Sequence, residues 1–320
     1  MKKLLKRCIA LAAVLVLFTG CGSTAKTDDV NVRVGSLKGP TSIGIIQMIH
    51  DEEGSDYTFT METQADVLLP SIVSGDLDIA MVPANVASVL YNKTEGGISV
   101  IDINTLGVLY MVSGDDSIGS MTDLEGRTIY TTGAGTTPEY VLKYLLSENG
   151  VLDKVSIEFK SEATEVVAAL AQDPSAVGML PQPFVIAAIS QNEALKIVMD
   201  MTAEWDAVGN GSSLVTGVTV VRNDFLKEHP DAVKAFVEDH EASTEFVNND
   251  PAAAAEYVVE AGIIEKAPVA EKAIPLCNIV CIKGSEMKDA LSGYLNVLYE
   301  QDPKTVGGAL PGDDFYADIK

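Results

Sequence analysis

Five short turns gather hydroxyl, amide and glycine residues in patterns suited to holding a small molecule. The first, Ser36 to Ser42, carries Lys38, Gly39, Thr41 and Ser42. There the glycine lets backbone approach a ligand closely, and the two hydroxyls donate or accept hydrogen bonds. Gln64 stands in Thr63-Gln64-Ala65, and Ala84 and Asn85 follow Pro83. Thr132, Gly135, Thr136 and Thr137 form a fourth turn, and Gln182 sits between Pro181 and Pro183. Each polar residue here also suits a plain helix cap. Tyr110 and Trp205 offer flat rings that would stack on a planar ligand, although Trp205, in a polar stretch, suits a surface plug equally well. This is the chemistry of recognition.

Catalytic patterns are missing. The chain has no Gly-Lys-Ser/Thr phosphate loop, no His-Glu-x-x-His and no nucleophile elbow. Gly133-Ala134-Gly135 begins like a dinucleotide turn, but Pro138 replaces the third glycine. No metal site is expected, because His50, His229 and His240 lack ligand-like spacing, and no cofactor is implied. Cys277 and Cys281, among apolar neighbours, read as buried thiols. Lys38 is the only cation in the turns of the first lobe, and Lys160 is expected to approach from the second. A dianion calls for more positive charge, ideally a bidentate arginine, so a neutral or singly charged organic ligand is favoured.

The elements that must position these turns alternate. Strands are expected at 32–35, 57–61, 77–82, 100–103, 108–112, 128–131, 155–159, 176–180, 195–198 and 218–221. Helices are expected from Pro40, over 67–73, 85–91, 162–171 and 184–190, and from Thr137 with Pro138 at its first position. After 221 the chain turns helical, and Val233, Phe236, Val237 and His240 share one face, which puts His240 on a buried stripe. Such alternation argues for an α/β protein with mostly parallel sheets covered on both faces. Ligands of open α/β sheets sit beyond the carboxyl ends of strands, where helix starts present unpaired amides.

The first residues point outside the cell. Lys2, Lys3, Lys6 and Arg7 precede an apolar run from Cys8 to Phe18, as in an export signal. That run falls well short of the roughly 20 residues that span a bilayer. Leu17-Phe18-Thr19-Gly20-Cys21 resembles a bacterial lipobox, with Phe18 where the usual leucine stands. Cleavage after Gly20 would leave Cys21 to carry palmitate-type acyl chains, which hold a protein at the membrane when two or more are present. Losing the four signal cations takes the net charge from −24 to −28, a balance that excludes nucleic acid as a partner.

Four stretches carry a family resemblance. Ser74-Gly75-Asp76-Leu77-Asp78-Ile79-Ala80 with Pro83-Ala84-Asn85, Asp123 to Ile129, Gly133 to Thr137, and Asn223 to Pro230 occur in an order similar to one family. That order resembles the nitrate, sulfonate, taurine and thiamine-precursor binding proteins of ABC transporters. The resemblance implies a type II periplasmic-binding fold, with two α/β lobes and mostly parallel central sheets joined by a two-crossover hinge. It divides the chain into a signal (1–20), a tether (21–29), lobe one (30–114 and 214–320) and lobe two (115–213). The function it implies is an extracytoplasmic lipoprotein, a monomer on the outer face of the cell membrane, that passes a small molecule to an ABC permease and its ATPase. A ligand-sensing lipoprotein and a cytoplasmic thiamine-pyrimidine or menaquinone-precursor enzyme are the alternatives; the export signal disfavours the enzyme.

Overall fold

The computed structural model describes residues 30–319, so the signal, the tether and Cys21 lie outside the described residues. The first strand is β1 (Val32–Leu37), followed by the short helices α1 (Pro40–Ile43) and α2 (Ile46–His50). Then come β2 (Tyr57–Glu62), α3 (Ala65–Ser74), β3 (Ile79–Pro83), α4 (Ala84–Lys93) and β4 (Ile98–Leu106). The middle of the chain holds β5 (Leu109–Ser113), β6 (Thr128–Thr131), α5 (Thr137–Glu148), β7 (Ser156–Phe159) and α6 (Ala163–Gln172). It continues with β8 (Val177–Pro181), α7 (Phe184–Gln191), β9 (Lys196–Asp200) and α8 (Met201–Val208). After β10 (Val215–Arg222) the chain is mainly helical. It runs through α9 (Asn223–Glu228), α10 (Pro230–Asn249), α11 (Pro251–Glu260), α12 (Ala267–Ala273), β11 (Ile279–Ile282) and α13 (Gly284–Gln301).

Two sheets result. One has the order β11-β4-β10-β3-β1-β2, the other β7-β6-β8-β5-β9. In each, the strand that has just arrived from the other sheet (β10 in the first, β5 in the second) inserts antiparallel between its neighbours. The remaining neighbours in the middle of each sheet pair in parallel, with helices as crossovers. Strands buried on both faces must be apolar at every position, and β3, β4, β5 and β8 are buried along most of their length.

The expected alternation stands, with one shift that matters. Leu109–Ser113 belongs to the five-stranded sheet, so the first crossover falls at Gly107 and Val108 and not after Val112. Periodicity shows a strand but not the sheet it joins, and the polar stretch from Gly114 is a loop within lobe two. The second crossover follows α8 and ends at β10, past Gly209. The single helix expected from Pro40 is split at Gly44, which packs close against Ile279, His240 and Thr244. The alternation did not reveal α8, α9, α12 and β11. Thr136, and not Thr137, occupies the position before α5.

Local signals explain the long helices. Pro230 opens α10, and the Asp250 carboxylate accepts from the Ala253 amide ahead of Pro251 to start α11. Gly75, in a left-handed conformation, closes α3 and lies so near Arg222 that a β-carbon there would come within 2.2 Å of its guanidinium. No helix among the described residues is long and apolar enough to cross a membrane.

Candidate functional site

The turns chosen from sequence lie at the carboxyl ends of parallel strands, as the fold requires. After β1, the Thr41 hydroxyl donates to the Leu37 carbonyl at 3.1 Å, and the Ser42 hydroxyl reaches Ser36 Oγ and the same carbonyl. Both therefore hold the end of β1 in place and keep lone pairs to offer. Gly39 is buried, and Phe184 of α7, from the other lobe, lies 4.0 Å from where a β-carbon would stand. The two lobes meet here.

A second meeting runs through α4. Asn85 is fully buried; its amide nitrogen donates to the Gly135 carbonyl at 3.3 Å and to the Thr305 carbonyl at 3.2 Å. Thr137, also buried, directs its hydroxyl to Asn85 Oδ1 at 3.4 Å and to the Thr216 carbonyl at 3.5 Å. Thr216 belongs to β10, the strand that returns from lobe two. Its neighbour Gly217 packs so tightly that a β-carbon would stand 2.9 Å from Thr41 Cγ2 and 2.5 Å from Asn104 Oδ1. Thr216, Thr137 and Asn85 thus form one hydrogen-bonded set spanning both lobes, with Thr41 packed beside the neighbouring Gly217.

Several buried side chains have polar atoms without a partner among the described residues, Gln182 and Thr216 among them. Gln182 is fully buried, its backbone amide bonded to the Val108 carbonyl in the first crossover, and both its side-chain oxygen and nitrogen are unpaired. The Thr216 hydroxyl is unpaired as well. Buried polar groups are nearly always satisfied, because leaving one bare costs about 1–3 kcal/mol. An amide with both ends open can donate to and accept from a partner at the same time.

The remaining candidates are placed as follows. Ala84 is buried at the start of α4, where it admits close approach to the helix end. Thr132 is half-buried, and the Thr136 hydroxyl donates to the Gly133 carbonyl at 2.7 Å, shaping the turn. Gln64 and Lys38 are exposed, Gln64 just ahead of α3. Lys160 pairs with Glu158 at 2.6 Å and lies over the Tyr130 ring, so its charge is already engaged.

Two candidates are corrected. Tyr110 is buried in the core beneath α7, with its hydroxyl on the Leu276 carbonyl at 3.2 Å, and burial pushes its pKa up to about 12. Its ring has no free face for a ligand. Trp205 is neither a stacking platform nor a surface plug. It is fully buried in α8, its indole N–H donates to the Ser212 carbonyl at 3.0 Å, and its ring packs between Tyr144 and Tyr294. The polar sequence around it covers a tryptophan that joins helices of both lobes at the second crossover.

Thr216 and Phe184 were not singled out from sequence as site residues. One signal for the first existed: Gly217, inside a Val- and Thr-rich strand, marks close approach of another part of the chain. Nothing local marks Phe184. A groove of about 810 Å³ lies elsewhere, between α5, α13 and the turn at Asn210, and none of the candidate ligand residues lines it. Asp102, His240 and Cys281 also converge inside lobe one, although no ligand spacing links them in sequence.

Comparison with known proteins agrees with the resemblance read from the sequence. Residues 96–254 match the NMT1/THI5 like family. A protein of Brucella abortus (strain 2308), whose name assigns it provisionally to the binding proteins, is 24% identical over 253 residues, 77% of this chain and 76% of the relative. The crystal structure of an ABC transporter from Parabacteroides distasonis superposes with a TM-score of 0.76 at 23% identity, over 92% of this chain and 100% of that one. The periplasmic aliphatic sulphonate binding protein of Escherichia coli does so with a TM-score of 0.72 at 12% identity, over 90% of this chain and 92% of its own.

Proposed function

From a chain with the fold of the periplasmic binding proteins and an NMT1/THI5-like segment over residues 96–254, we propose an extracytoplasmic solute-binding protein of an ABC importer. It captures a small organic molecule between its lobes, is anchored through lipid on Cys21, and carries out no catalysis. The observation that carries this reading is the buried Gln182 amide, open at both ends, beside the first crossover between the lobes.

The mechanism follows from that arrangement. In the open form, the turns after β1, β3 and β6 and the end of β8 face solvent from two sides. The ligand enters, Gln182 and Thr216 gain partners, and closure excludes water from the bonds that form. Burial strengthens those bonds relative to water. The closed form then docks on a permease, which separates the lobes by rotation about the two crossovers.

A neutral or singly charged organic ligand, such as a heterocycle or a thiamine precursor, suits these turns better than nitrate or sulfate. Of the two cations weighed for the site, Lys160 is held by Glu158, and Lys38 is exposed with no acid partner among the described residues. Gln182 can donate to and accept from a heterocycle edge at the same time, as a thiamine-precursor pyrimidine would require. A thermal-shift screen across thiamine-pathway pyrimidines, flavins, sulfonates, nitrate and aromatic acids tests this. A ligand present at 100 times its Kd stabilises the folded state by about 2.7 kcal/mol. The heterocycles are expected to raise the melting temperature; a shift with inorganic anions alone would overturn the ligand class.

A further inference from the structure

Three side chains far apart in sequence meet inside lobe one: Asp102 on β4, His240 on α10 and Cys281 on β11. His240 Nδ1 lies 3.2 Å from Asp102 Oδ2 and 3.8 Å from Cys281 Sγ, and the three atoms all fall within 4.8 Å of one another. Asp102 and His240 are fully buried, and Cys281 is half-buried.

Hydrogen bonding alone leaves the thiol of this group without a partner of its own. If Nδ1 carries the proton it satisfies the carboxylate, and the thiol has no use for the same nitrogen. If Nδ1 is bare, it turns a lone pair toward the carboxylate oxygen. A dication between the three resolves the conflict, because each atom then offers its lone pair inward.

We propose that Asp102, His240 and Cys281 form a metal site that takes one Zn²⁺ ion or a chemically similar dication. Zinc bonds of about 2.0–2.1 Å to nitrogen and oxygen and about 2.3 Å to sulfur place tetrahedral ligand atoms roughly 3.3–3.8 Å apart. The observed 3.2 and 3.8 Å separations lie close to that frame, and the sulfur and carboxylate oxygen, within 4.8 Å of each other, need only a small side-chain adjustment to enter it. One carboxylate and one thiolate balance the dication, and the neutral imidazole completes a three-residue set. The thiol proton leaves to solvent as the metal enters. The fourth position falls to water, reached past half-buried Cys281, beside which Lys283 is paired with Glu241.

The carboxylate is already oriented for the task. Its other oxygen, Oδ1, accepts from the Thr219 hydroxyl at 2.6 Å, and Thr219 in turn accepts from Asn104 at 3.2 Å. Outer partners of this kind fix a ligand's direction and raise affinity. The ion would join β4, from the first half of lobe one, to α10 and β11 from the second. It would therefore staple a lobe built from two separated stretches of chain, independently of any ligand in the gap.

The test is a Co²⁺ titration of the chelator-stripped full chain, read by thiolate-to-cobalt absorption in the near ultraviolet and followed by Zn²⁺ competition. One Co²⁺ per chain is expected, with a thiolate band that Zn²⁺ abolishes. Cys281→Ala should remove the band and weaken binding by about 100-fold or more, beyond the 10–100-fold lost when only supporting partners are removed. Cys277→Ala and the Cys8→Ser/Cys21→Ser double variant should keep the band. A wild-type chain without the band overturns the proposal whether or not the variants fold. So does a band that survives Cys281→Ala or disappears with Cys277→Ala or with the Cys8/Cys21 pair.

Discussion

The Asn85 side-chain nitrogen donates to the Gly135 carbonyl at 3.3 Å, and this bond ties the first turn of α4 in one lobe to the turn before α5 in the other. The same amide holds Thr305 and accepts from Thr137. One buried residue thus serves both the interior of lobe one and the contact between lobes.

Replacing Asn85 by Ala is expected to destabilise the chain by about 1–3 kcal/mol, since the Thr305 carbonyl loses a buried donor. It should also raise the radius of gyration of the ligand-free chain, read by small-angle scattering. An unchanged radius would mean that the Gly135 contact does not hold the lobes together.

Gln182→Met tests the unpaired amide directly, because the side chains are similar in length and only the polar ends are lost. The ligand-free chain should unfold at equal or higher urea, by up to about 3 kcal/mol. The ligand-induced rise in melting temperature should vanish. A variant that still responds to ligand as wild type does would remove Gln182 from the site.

Thr137→Val keeps the shape and deletes the hydroxyl that spans Asn85 and the Thr216 carbonyl. A roughly tenfold loss of ligand affinity is expected, equivalent to about 1.4 kcal/mol and in line with a net hydrogen bond. Thr136→Ala, which removes the bond to Gly133, should also weaken binding, with the fold intact by circular dichroism. Calorimetric titration reads both.

Gly107, in the first crossover, has no room for a side chain: a β-carbon would stand 2.0 Å from Thr202 Oγ1 and 3.0 Å from Thr202 Cβ. Gly107→Ala is expected to cost about 1–3 kcal/mol through overpacking at the hinge. Adding Thr202→Ala should recover part of that loss in urea unfolding. No recovery would place the strain elsewhere.

In lobe two, the Asp115 carboxyl is held down at about 2 by the Ser117 hydroxyl first, then the Ser117 amide and the Arg127 guanidinium. A depressed carboxyl stabilises the fold above its ordinary value of 3.8 and loses that contribution as pH falls toward 2. Ser117→Ala should therefore raise the Asp115 titration midpoint, seen by NMR, and move the onset of acid unfolding to higher pH. A midpoint that stays near 2 would contradict the assigned cause.

Much of this was legible before any coordinates. The alternation of buried strands with capped helices gives mostly parallel α/β sheets, because burial on both faces demands apolar runs that a reader can see, and the division into two lobes was what the family resemblance implied. Proline and glycine marked several turns, and the hydrophobic stripe of α10 placed His240 inward, where it is fully buried. Asn85, Thr137 and Gln182 were chosen because turns after parallel strands must face the gap.

Periodicity reports only that a side chain turns inward and is silent on what it meets there. Tyr110 and Trp205 looked like ligand platforms until packing gave both of their faces to the core. The sheet that β5 joins, and with it the first crossover, depended on pairing with β8 and β9 from much later in the chain. His240 meets an acid 138 residues away and a thiol 41 residues away, so no local spacing could announce them. Local chemistry chooses helix, strand and turn; long-range contacts choose partners, and the groups that would bind a ligand or a metal are defined by their partners.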